Sequence, residues 1–384
     1  MHFEFATATR IIFGPGTVGQ AGKLAAEMGS KALVACGLAG VRAGILMDSL
    51  SSAGIAAALF PIEGEPTPEL VQAGTALARR EGCDLVIGFG GGSALDSGKA
   101  IAALLTNSGD IFDYLEVVGR GRPLVELPVP YLAFPTTSGT GAEVTRNAVL
   151  GVTGQKVKVS LRSPLMLPRL AVVDPELTYS LPPSITASTG LDALTQLIEP
   201  FVSNQSNPLT DAFCREGMYR VARSLRCAYD HGDDPVARED MSLASLFGGL
   251  ALANARLGAV HGFAAPIGGM FPAPHGSVCA RLLPFVMQTN VQALGARAHQ
   301  GGQLRRYEEV AQILTGNAQA NAQAGVTWVQ ELCNALSIPS LSAYGVSRQD
   351  FPILVVKAAQ ASSMAGNPIK LTEAELLGIL ETAL

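Results

Sequence analysis

Four side chains in the second half of the sequence are of types that can bind a divalent metal ion. Asp192 and Gln196 are four residues apart in GLDALTQLIEP, so they share one face of a predicted helix. His261 and His275 stand in the Gly- and Pro-rich stretch AVHGFAAPIGGMFPAPHGS. Two imidazoles, one carboxylate and one amide oxygen can form a four-ligand site with an open position for substrate. A structural role for each histidine remains the alternative.

A glycine cluster in the first half has the pattern of a phosphate-binding turn. The segment DLVIGFGGGSALDSGKA runs from an apolar strand through Gly90, Gly91, Gly92 and Ser93 into a helix. Glycines let the backbone approach a ligand, and a helix N-terminus offers N–H groups to a pyrophosphate. A tight strand-to-helix turn also explains these glycines, but their place at the carboxyl end of a strand favours phosphate binding.

Polar side chains near this turn and after the next strand are further candidates for nucleotide contacts. Asp96 and Lys99 lie on the helix after the glycines, where they can touch a cofactor, support its loop or face solvent. The segment FPTTSGTGAEVT carries four hydroxyl side chains after a strand, namely Thr136, Thr137, Ser138 and Thr140. These hydroxyls either bind a nucleotide or cap the segment that follows. Two such loops after neighbouring strands strengthen the prediction of a binding site.

The elements that position these loops alternate between short apolar runs and helical periodicity. KALVAC, AALFPI, DLVIGF and YLAFP predict strands, and the stretches near 40–52, 67–81 and 94–106 predict helices. This alternation is typical of parallel strands joined by crossover helices, as in a doubly wound, Rossmann-like α/β domain. RLAVVDPELT predicts its last strand, so we expect this domain to span residues 1–180.

The remaining sequence, residues 181–384, predicts an all-helical domain. Helical periodicity recurs in STGLDALTQLIEPFVS, DAFCREGMYRVARSL, REDMSLASLFGGLALANA, RYEEVAQIL, VTWVQELCNAL and EAELLGILETAL. GNAQANAQAG, residues 316–325, predicts a loop between helices.

Composition excludes several classes of function. With 384 residues, 48% apolar and 15% charged, the chain is long and apolar enough for two compact domains. Its net charge of -5 and scattered basic residues argue against nucleic-acid binding. No apolar run reaches the roughly 18–20 residues that cross a bilayer, and the N-terminus lacks a signal-peptide pattern, so no membrane partner is expected.

Cysteine usage indicates a reducing compartment. The six cysteines are widely spread without a CxxC pair, which predicts buried free thiols in the cytoplasm rather than a disulfide framework. Many small residues and few aromatics are compatible with close subunit contacts.

The whole chain resembles the iron-containing, or group III, alcohol dehydrogenases. The resemblance rests on ordered motifs: RIIFGPG, GGGSALDSGK, FPTTSGTGAEVT, DPELT, GLDALTQLIE, VHGFAAPIGGMFPAPHG and NPIKLTEAE. It implies a dehydroquinate synthase-like architecture with a dinucleotide-binding domain, a helical domain and an active site in the cleft between them. It also implies NAD or NADP as cofactor, a divalent metal (Fe2+ first, with Zn2+ or Mn2+ as alternatives), and a small alcohol or aldehyde as substrate. Relatives of this family are commonly dimers or larger, so the resemblance also implies a homo-oligomer.

Site residues follow from this resemblance position by position. The metal ligands are matched by Asp192, His261 and His275. The positions that contact the cofactor are matched by Gly90, Gly91, Gly92, Ser93, Asp96, Thr136, Thr137, Thr140 and Lys158.

Three positions depart from the pattern of this family. Gln196 replaces the usual histidine; an amide oxygen is a weaker and harder ligand, so we expect a preference for Fe2+, Mn2+ or Mg2+. Ala265 replaces a histidine near the nicotinamide, so proton transfer must use ribose hydroxyls, Lys158, a Thr hydroxyl or water. Gly37 stands where NAD-preferring relatives often carry an acidic residue. Without that carboxylate the 2′-phosphate of NADPH is not repelled, so NADPH is also a possible cofactor. Arg42 nearby can contact that phosphate or simply lie on the surface.

These observations lead to one hypothesis of mechanism and to rivals. The metal ion binds the substrate oxygen and stabilises an alkoxide, from which hydride passes to nicotinamide C4. A metal-independent enzyme similar to maleylacetate reductases is the first rival, favoured by Gln196 and disfavoured by Asp192. A lyase similar to dehydroquinate synthase is the second, and a cofactor-binding protein without catalysis is the third.

Overall fold

A computed structural model describes residues 2–37, 43–298 and 301–384. Arg42, considered above for cofactor recognition, lies outside these residues.

Within the described residues, six parallel strands form the main sheet, in the order β1-β8-β5-β4-β2-β3. The strands of the chain are β1 (Ile11–Phe13), β2 (Lys31–Gly37), β3 (Ala56–Ile62), β4 (Leu85–Gly90), β5 (Tyr131–Pro135), β6 (Asn147–Val152), β7 (Val157–Arg162) and β8 (Leu170–Val173). The helices that accompany the sheet are α1 (Ala21–Ala26), α2 (Ala43–Ser52), α3 (Pro68–Glu81) and α4 (Gly92–Thr106).

Helices make up the second half of the chain. They are α5 (Pro183–Val202), α6 (Pro208–Asp230), α7 (Pro235–Ala255), α8 (Ala259–Met270), α9 (His275–Arg297), α10 (Gly302–Thr315), α11 (Ala322–Ala335), α12 (Phe351–Gln360) and α13 (Glu373–Ala383). The predicted fold class, a doubly wound parallel α/β sheet followed by an all-helical region, is therefore confirmed.

The centre of the sheet brings three strand ends to one edge. Every residue of β4 is buried, as expected for a continuous apolar run in a parallel sheet. β4 pairs with β2 on one side and with β5 on the other, and Gly90 is in register with Pro135. The loops that follow these strands therefore leave the sheet side by side.

Several elements of the structure are not predicted by the sequence patterns, among them β6, β7, α8 and α9. β6 and β7 form an antiparallel hairpin outside the main sheet. α8 and α9 occupy the Gly- and Pro-rich stretch that carries His261 and His275, and Pro266 lies inside α8. Buried contacts on these helices outweigh their poor intrinsic helix propensity.

The described residues form two compact units. The described residues of the helical unit lie within 2–5, Ser138–Thr140, 180–298 and 301–384, and those of the sheet unit lie within 6–37, 43–137 and Gly141–Tyr179. Three residues of the FPTTSGTGAEVT segment thus belong, by their contacts, to the helical unit.

Among the described helices, none is by itself both long and apolar enough to cross a membrane. Pro235–Ala255 and Ala259–Met270 meet that criterion only when taken together, and the chain bends by 99° between them.

A buried charged network supports the loop after β5. Lys99 on α4 is 1% exposed, and its Nζ donates to Ala142 O at 3.0 Å, to Thr145 Oγ1 at 2.8 Å and to Asn147 O at 2.5 Å. Glu143 is buried in the same segment. Burial raises the pKa of Glu143 from 4.5 to about 7, against smaller opposite effects of a backbone hydrogen bond and of Lys99.

We predict that Glu143→Gln stabilises the protein at alkaline pH. Below pH 4.5 this carboxyl is protonated in the folded and the unfolded chain alike. As pH rises from 4.5 to about 7, only the unfolded chain loses the proton, so the free energy of unfolding of the wild type falls, by at most about 3 kcal/mol. Urea unfolding at about pH 5 and about pH 8 should show a variant advantage that is larger at the higher pH.

The exposed Glu63→Gln is the control and should show no such pH-dependent difference. A Glu143→Gln effect of equal size at both pH values would contradict the prediction.

Candidate metal and cofactor sites

Helix α5 carries the first group of site residues into the interior of the helical unit. From Thr186 onward almost every residue of this helix is buried, the polar ones included. Asp192, Gln196 and Glu199 follow one another at spacings of four and three residues, so all three lie on one face. Asp192 is 1% exposed and Gln196 is 2% exposed. Polar groups buried this deeply require partners.

Glu199 is a partner that orients His261. Its Oε1 accepts from the Val260 backbone N–H at 2.7 Å, near the start of α8. Its Oε2 lies 2.7 Å from His261 Nδ1, which places the imidazole proton on Nδ1 and leaves the Nε2 lone pair available. A Cβ atom on Gly258 would lie 2.9 Å from Glu199 Oε1, so glycine is needed for this approach.

The charges around His261 also change its protonation. Burial by itself lowers the pKa of His261, but the hydrogen bond to Glu199 and the charges of Glu199 and Asp192 outweigh burial, so the pKa is raised. The site therefore attracts positive charge.

Four side chains of the helical unit converge around one point. Asp192 Oδ1 lies 3.7 Å from Nε2 of His261 and 3.7 Å from Nε2 of His275. Cys279, one helical turn after His275 on α9, brings its Sγ to 3.6 Å from His275 Nε2 and to 3.8 Å from His261 Nε2. The potential ligand atoms all lie within 4.8 Å of one another.

Two buried oxygens on α5 fit a cation. Asp192 Oδ1 and Gln196 Oε1 have no hydrogen-bond partner among the described residues. Gln196 Nε2 donates to Gly139 O at 3.0 Å, which identifies the nitrogen and the oxygen of the amide. A buried carboxylate oxygen without a donor is costly, and a divalent ion beside two imidazole nitrogens removes that cost. The residues present therefore fit a divalent metal.

The sheet unit holds the residues of the predicted phosphate-binding turn. Gly90 has φ +153°, and a Cβ there would lie 2.7 Å from Ala94 Cβ, so glycine is required. Gly91 precedes α4 without a capping side chain, and a Cβ on it would lie 3.3 Å from Thr137 Cγ2. The Thr136 N–H donates to Gly90 O at 2.9 Å. The loops after β4 and β5 are thus in contact.

Other predicted cofactor contacts already have protein partners. Asp96 Oδ2 accepts from Val149 N–H at 2.9 Å, and Asp96 Oδ1 lies 3.0 Å from Lys99 Nζ. Lys158 Nζ lies 3.0 Å from Glu65 Oε1. Asp96 and Lys99 hold α4 against the neighbouring loop, which agrees with a supporting role.

Gly37, Ser93 and Thr140 complete the predicted set. Gly37 ends β2, and a Cβ there would lie 3.8 Å from Gly90 Cα, an ordinary contact. Ser93 lies in the first turn of α4, and Thr140 belongs to the helical unit.

Glu199 and Cys279 are absent from the prediction made from the sequence. The signal for Glu199 was available, since it stands seven residues after Asp192 on the same helical face. Cys279 stands four residues after His275, but that relation is informative only once a helix is predicted there.

Comparisons with known proteins cover the whole chain. Residues 8–175 match the family described as iron-containing alcohol dehydrogenase, and residues 186–384 match its C-terminal counterpart. A 1,3-propanediol dehydrogenase of Klebsiella pneumoniae is 36% identical over 99% of this chain and 98% of that protein. A choline dehydrogenase of Bacillus subtilis is 33% identical over 96% of this chain and 92% of that protein.

Solved structures agree with these sequence relatives. A crystal structure of a 1,3-propanediol oxidoreductase has a TM-score of 0.92 and 34% identity, and the match covers 100% of both chains. A sulfoacetaldehyde reductase from Bifidobacterium kashiwanohense, in complex with NAD+, has a TM-score of 0.87 and 28% identity over 100% of this chain and 99% of the other.

We predict that Glu199→Gln weakens divalent metal binding about 10- to 100-fold. Val260 N–H and His261 Nδ1–H both donate to Glu199, and an amide has only one oxygen to accept from them. Equilibrium dialysis against Zn2+ or Fe2+, followed by metal analysis, measures the change. The exposed Glu331→Gln is the control, and unchanged affinity in a folded Glu199→Gln protein would show that Glu199 does not orient a ligand.

Proposed function

The chain belongs to the iron-containing alcohol dehydrogenase family, whose members use NAD(P) and iron or another divalent metal, and we propose how its own residues carry that reaction. The reaction interconverts a small alcohol and its aldehyde or ketone by hydride transfer. The alternatives similar to maleylacetate reductase and to dehydroquinate synthase are not favoured, because the chain matches the iron-containing alcohol dehydrogenase family and the relatives reported above are propanediol and choline dehydrogenases.

The metal site of this proposal comprises Asp192, Gln196, His261 and His275. The observation that carries it is the buried Asp192 Oδ1, which lacks a hydrogen-bond donor among the described residues and stands 3.7 Å from two imidazole nitrogens. When bound there, a divalent ion supplies Lewis acidity to the substrate oxygen. Glu199 holds the His261 ring so that Nε2 faces Asp192.

The cofactor site of this proposal lies on the loops after β2, β4 and β5. The glycine turn lets the backbone approach a pyrophosphate, and the first N–H groups of α4 donate to it. The proposed contacts are Gly37, Gly90, Gly91, Gly92, Ser93, Asp96, Thr136, Thr137, Thr140 and Lys158. Since Ala265 has no titratable group, the proton leaves by Lys158, a threonine hydroxyl, ribose hydroxyls or water.

The remaining parts of the proposal concern organisation. We assign dinucleotide binding to residues 1–180 and metal and substrate binding to residues 181–384. A cytoplasmic location agrees with six cysteines that are all described and form no disulfide. We also propose a homo-oligomer, which light scattering coupled to size exclusion tests directly.

We predict that Asp192→Asn lowers kcat/KM for aldehyde-dependent NADH or NADPH oxidation by about 100-fold or more, because the anionic oxygen that attracts the ion is lost. The variant should retain less metal after purification without chelators. In the wild type, chelation should abolish activity and Fe2+ reloading should restore it. The exposed Asp233→Asn serves as the control. Full activity of the demetallated wild type would remove the metal from the mechanism.

We predict that Gly37→Asp lowers kcat/KM for NADPH by roughly tenfold or more, and lowers that for NADH much less. A carboxylate at this strand end repels a 2′-phosphate and can accept from a ribose 2′-hydroxyl. Gly37→Ala is the matched control, because the space at this position accepts a Cβ and alanine adds no charge. Equal losses with both cofactors would place residue 37 away from the adenosine ribose.

A further inference from the structure

The cysteine beside the two histidines suggests a different metal preference from the one expected from Gln196. Cys279 is buried and its Sγ lies 3.6 Å and 3.8 Å from the Nε2 atoms of His275 and His261. Asp192 Oδ1, 3.7 Å from both nitrogens, occupies the remaining corner of the group. A carboxylate oxygen, two imidazole nitrogens and one sulfur therefore surround one point.

The separations suit a small divalent ion such as zinc, which can expand from four to five ligands when a substrate oxygen binds. Ligand atoms bound to zinc at about 2.0–2.3 Å stand about 3.3–3.6 Å from one another in a tetrahedron. The four separations that join Asp192 Oδ1 or Cys279 Sγ to the two Nε2 atoms, 3.6–3.8 Å, exceed these values by only a few tenths of an ångström, and all the ligand atoms lie within 4.8 Å of one another. The group can therefore close around an ion with small side-chain movements.

We infer that Cys279 is a metal ligand of this chain, and that the site selects Zn2+ over Fe2+. This inference rests on the proposed metal site and identifies its donors and its ion. Thiolate and imidazole are soft or intermediate ligands, and an N, O and S donor set binds Zn2+ more tightly than Fe2+ or Mn2+. On binding, a metal–sulfur bond forms and the thiol proton passes to solvent, without a redox change.

This assignment explains why the family histidine can be absent at position 196. The sulfur of Cys279 supplies a strong donor from α9, so the amide oxygen of Gln196 need serve only as a weak additional ligand. Gln196 remains tied through its Nε2 to Gly139 O.

Cobalt spectroscopy tests the sulfur ligand directly. The full-length protein is freed of metal with a chelator and titrated with Co2+, first the wild type and then Cys279→Ser. We expect one Co2+ per chain in the wild type, with a thiolate-to-cobalt charge-transfer band in the near ultraviolet. In Cys279→Ser the band should disappear, Zn2+ affinity should fall at least about 100-fold, and the preference for Zn2+ over Fe2+ should shrink.

Matched variants separate this inference from the proposed function. Cys83→Ser changes a cysteine outside the group and should keep the band. If Co2+ binds in a manner that requires Asp192 but gives no thiolate band, the proposed metal site stands and the sulfur ligand is wrong. If the wild type binds no Co2+ at all, both are wrong.

X-ray absorption makes the test independent of how the variants fold. Zinc-edge spectra of the wild type loaded with Zn2+ should show one sulfur at about 2.3 Å in the first shell. A shell of nitrogen and oxygen only would overturn the inference.

Discussion

Burial of the Asp192 carboxylate is the constraint on which the helical site depends. An anionic oxygen without a donor, on a helix enclosed on nearly every side, is stable only if positive charge is brought to it. The neighbouring helices meet this requirement with two imidazoles, and Glu199 holds one of them by its far nitrogen. The carboxylate of Glu199 also accepts a hydrogen bond from the Val260 N–H in the first turn of α8. Glu199 therefore both caps this helix and orients His261. The hydrogen bonds of Glu199 thus fix both the start of α8 and the orientation of the His261 imidazole.

Local periodicity explains which parts of the fold could be predicted from the sequence. β2, β4 and β5 are short buried apolar runs separated by helical segments. A run of this kind can be predicted as a strand from its own few residues, without knowledge of its distant contacts. The β6–β7 hairpin was not predicted, although β6 alternates buried and partly exposed residues with the period of a strand. α8 could not be predicted in this way, because glycines and Pro266 lower its intrinsic propensity and only packing with distant helices stabilises it.

The same distinction applies to the candidate site. Asp192 and Gln196 could be paired from their spacing alone, and the two histidines stood out because the chain has only five. Cys279 was interpreted as one of six ordinary thiols, since its proximity to His261 and His275 depends on how α8 and α9 pack. Leaving Cys279 out of the ligand set changes which metal ion is predicted. Gln196 alone indicates a hard ion such as Fe2+, Mn2+ or Mg2+, whereas a thiolate ligand indicates Zn2+. Lys99, considered from the sequence for contact with the cofactor or with its supporting loop, anchors the loop after β5.

The placement of Ser138–Thr140 with the helices has a consequence for biosynthesis. Gly139 O accepts from Gln196, Ser138 and Ser242 are hydrogen-bonded at 3.2 Å, and a Cβ on Gly139 would lie 2.7 Å from Thr189 Cβ. As the polypeptide leaves the ribosome, this tripeptide emerges well before the helices that enclose it. Residues 138–140 can therefore make these contacts only after the helices have been synthesised. A gene fragment that starts at residue 181 encodes the helices without this tripeptide. Neither contiguous half of the gene therefore encodes all the residues that make up the helical unit.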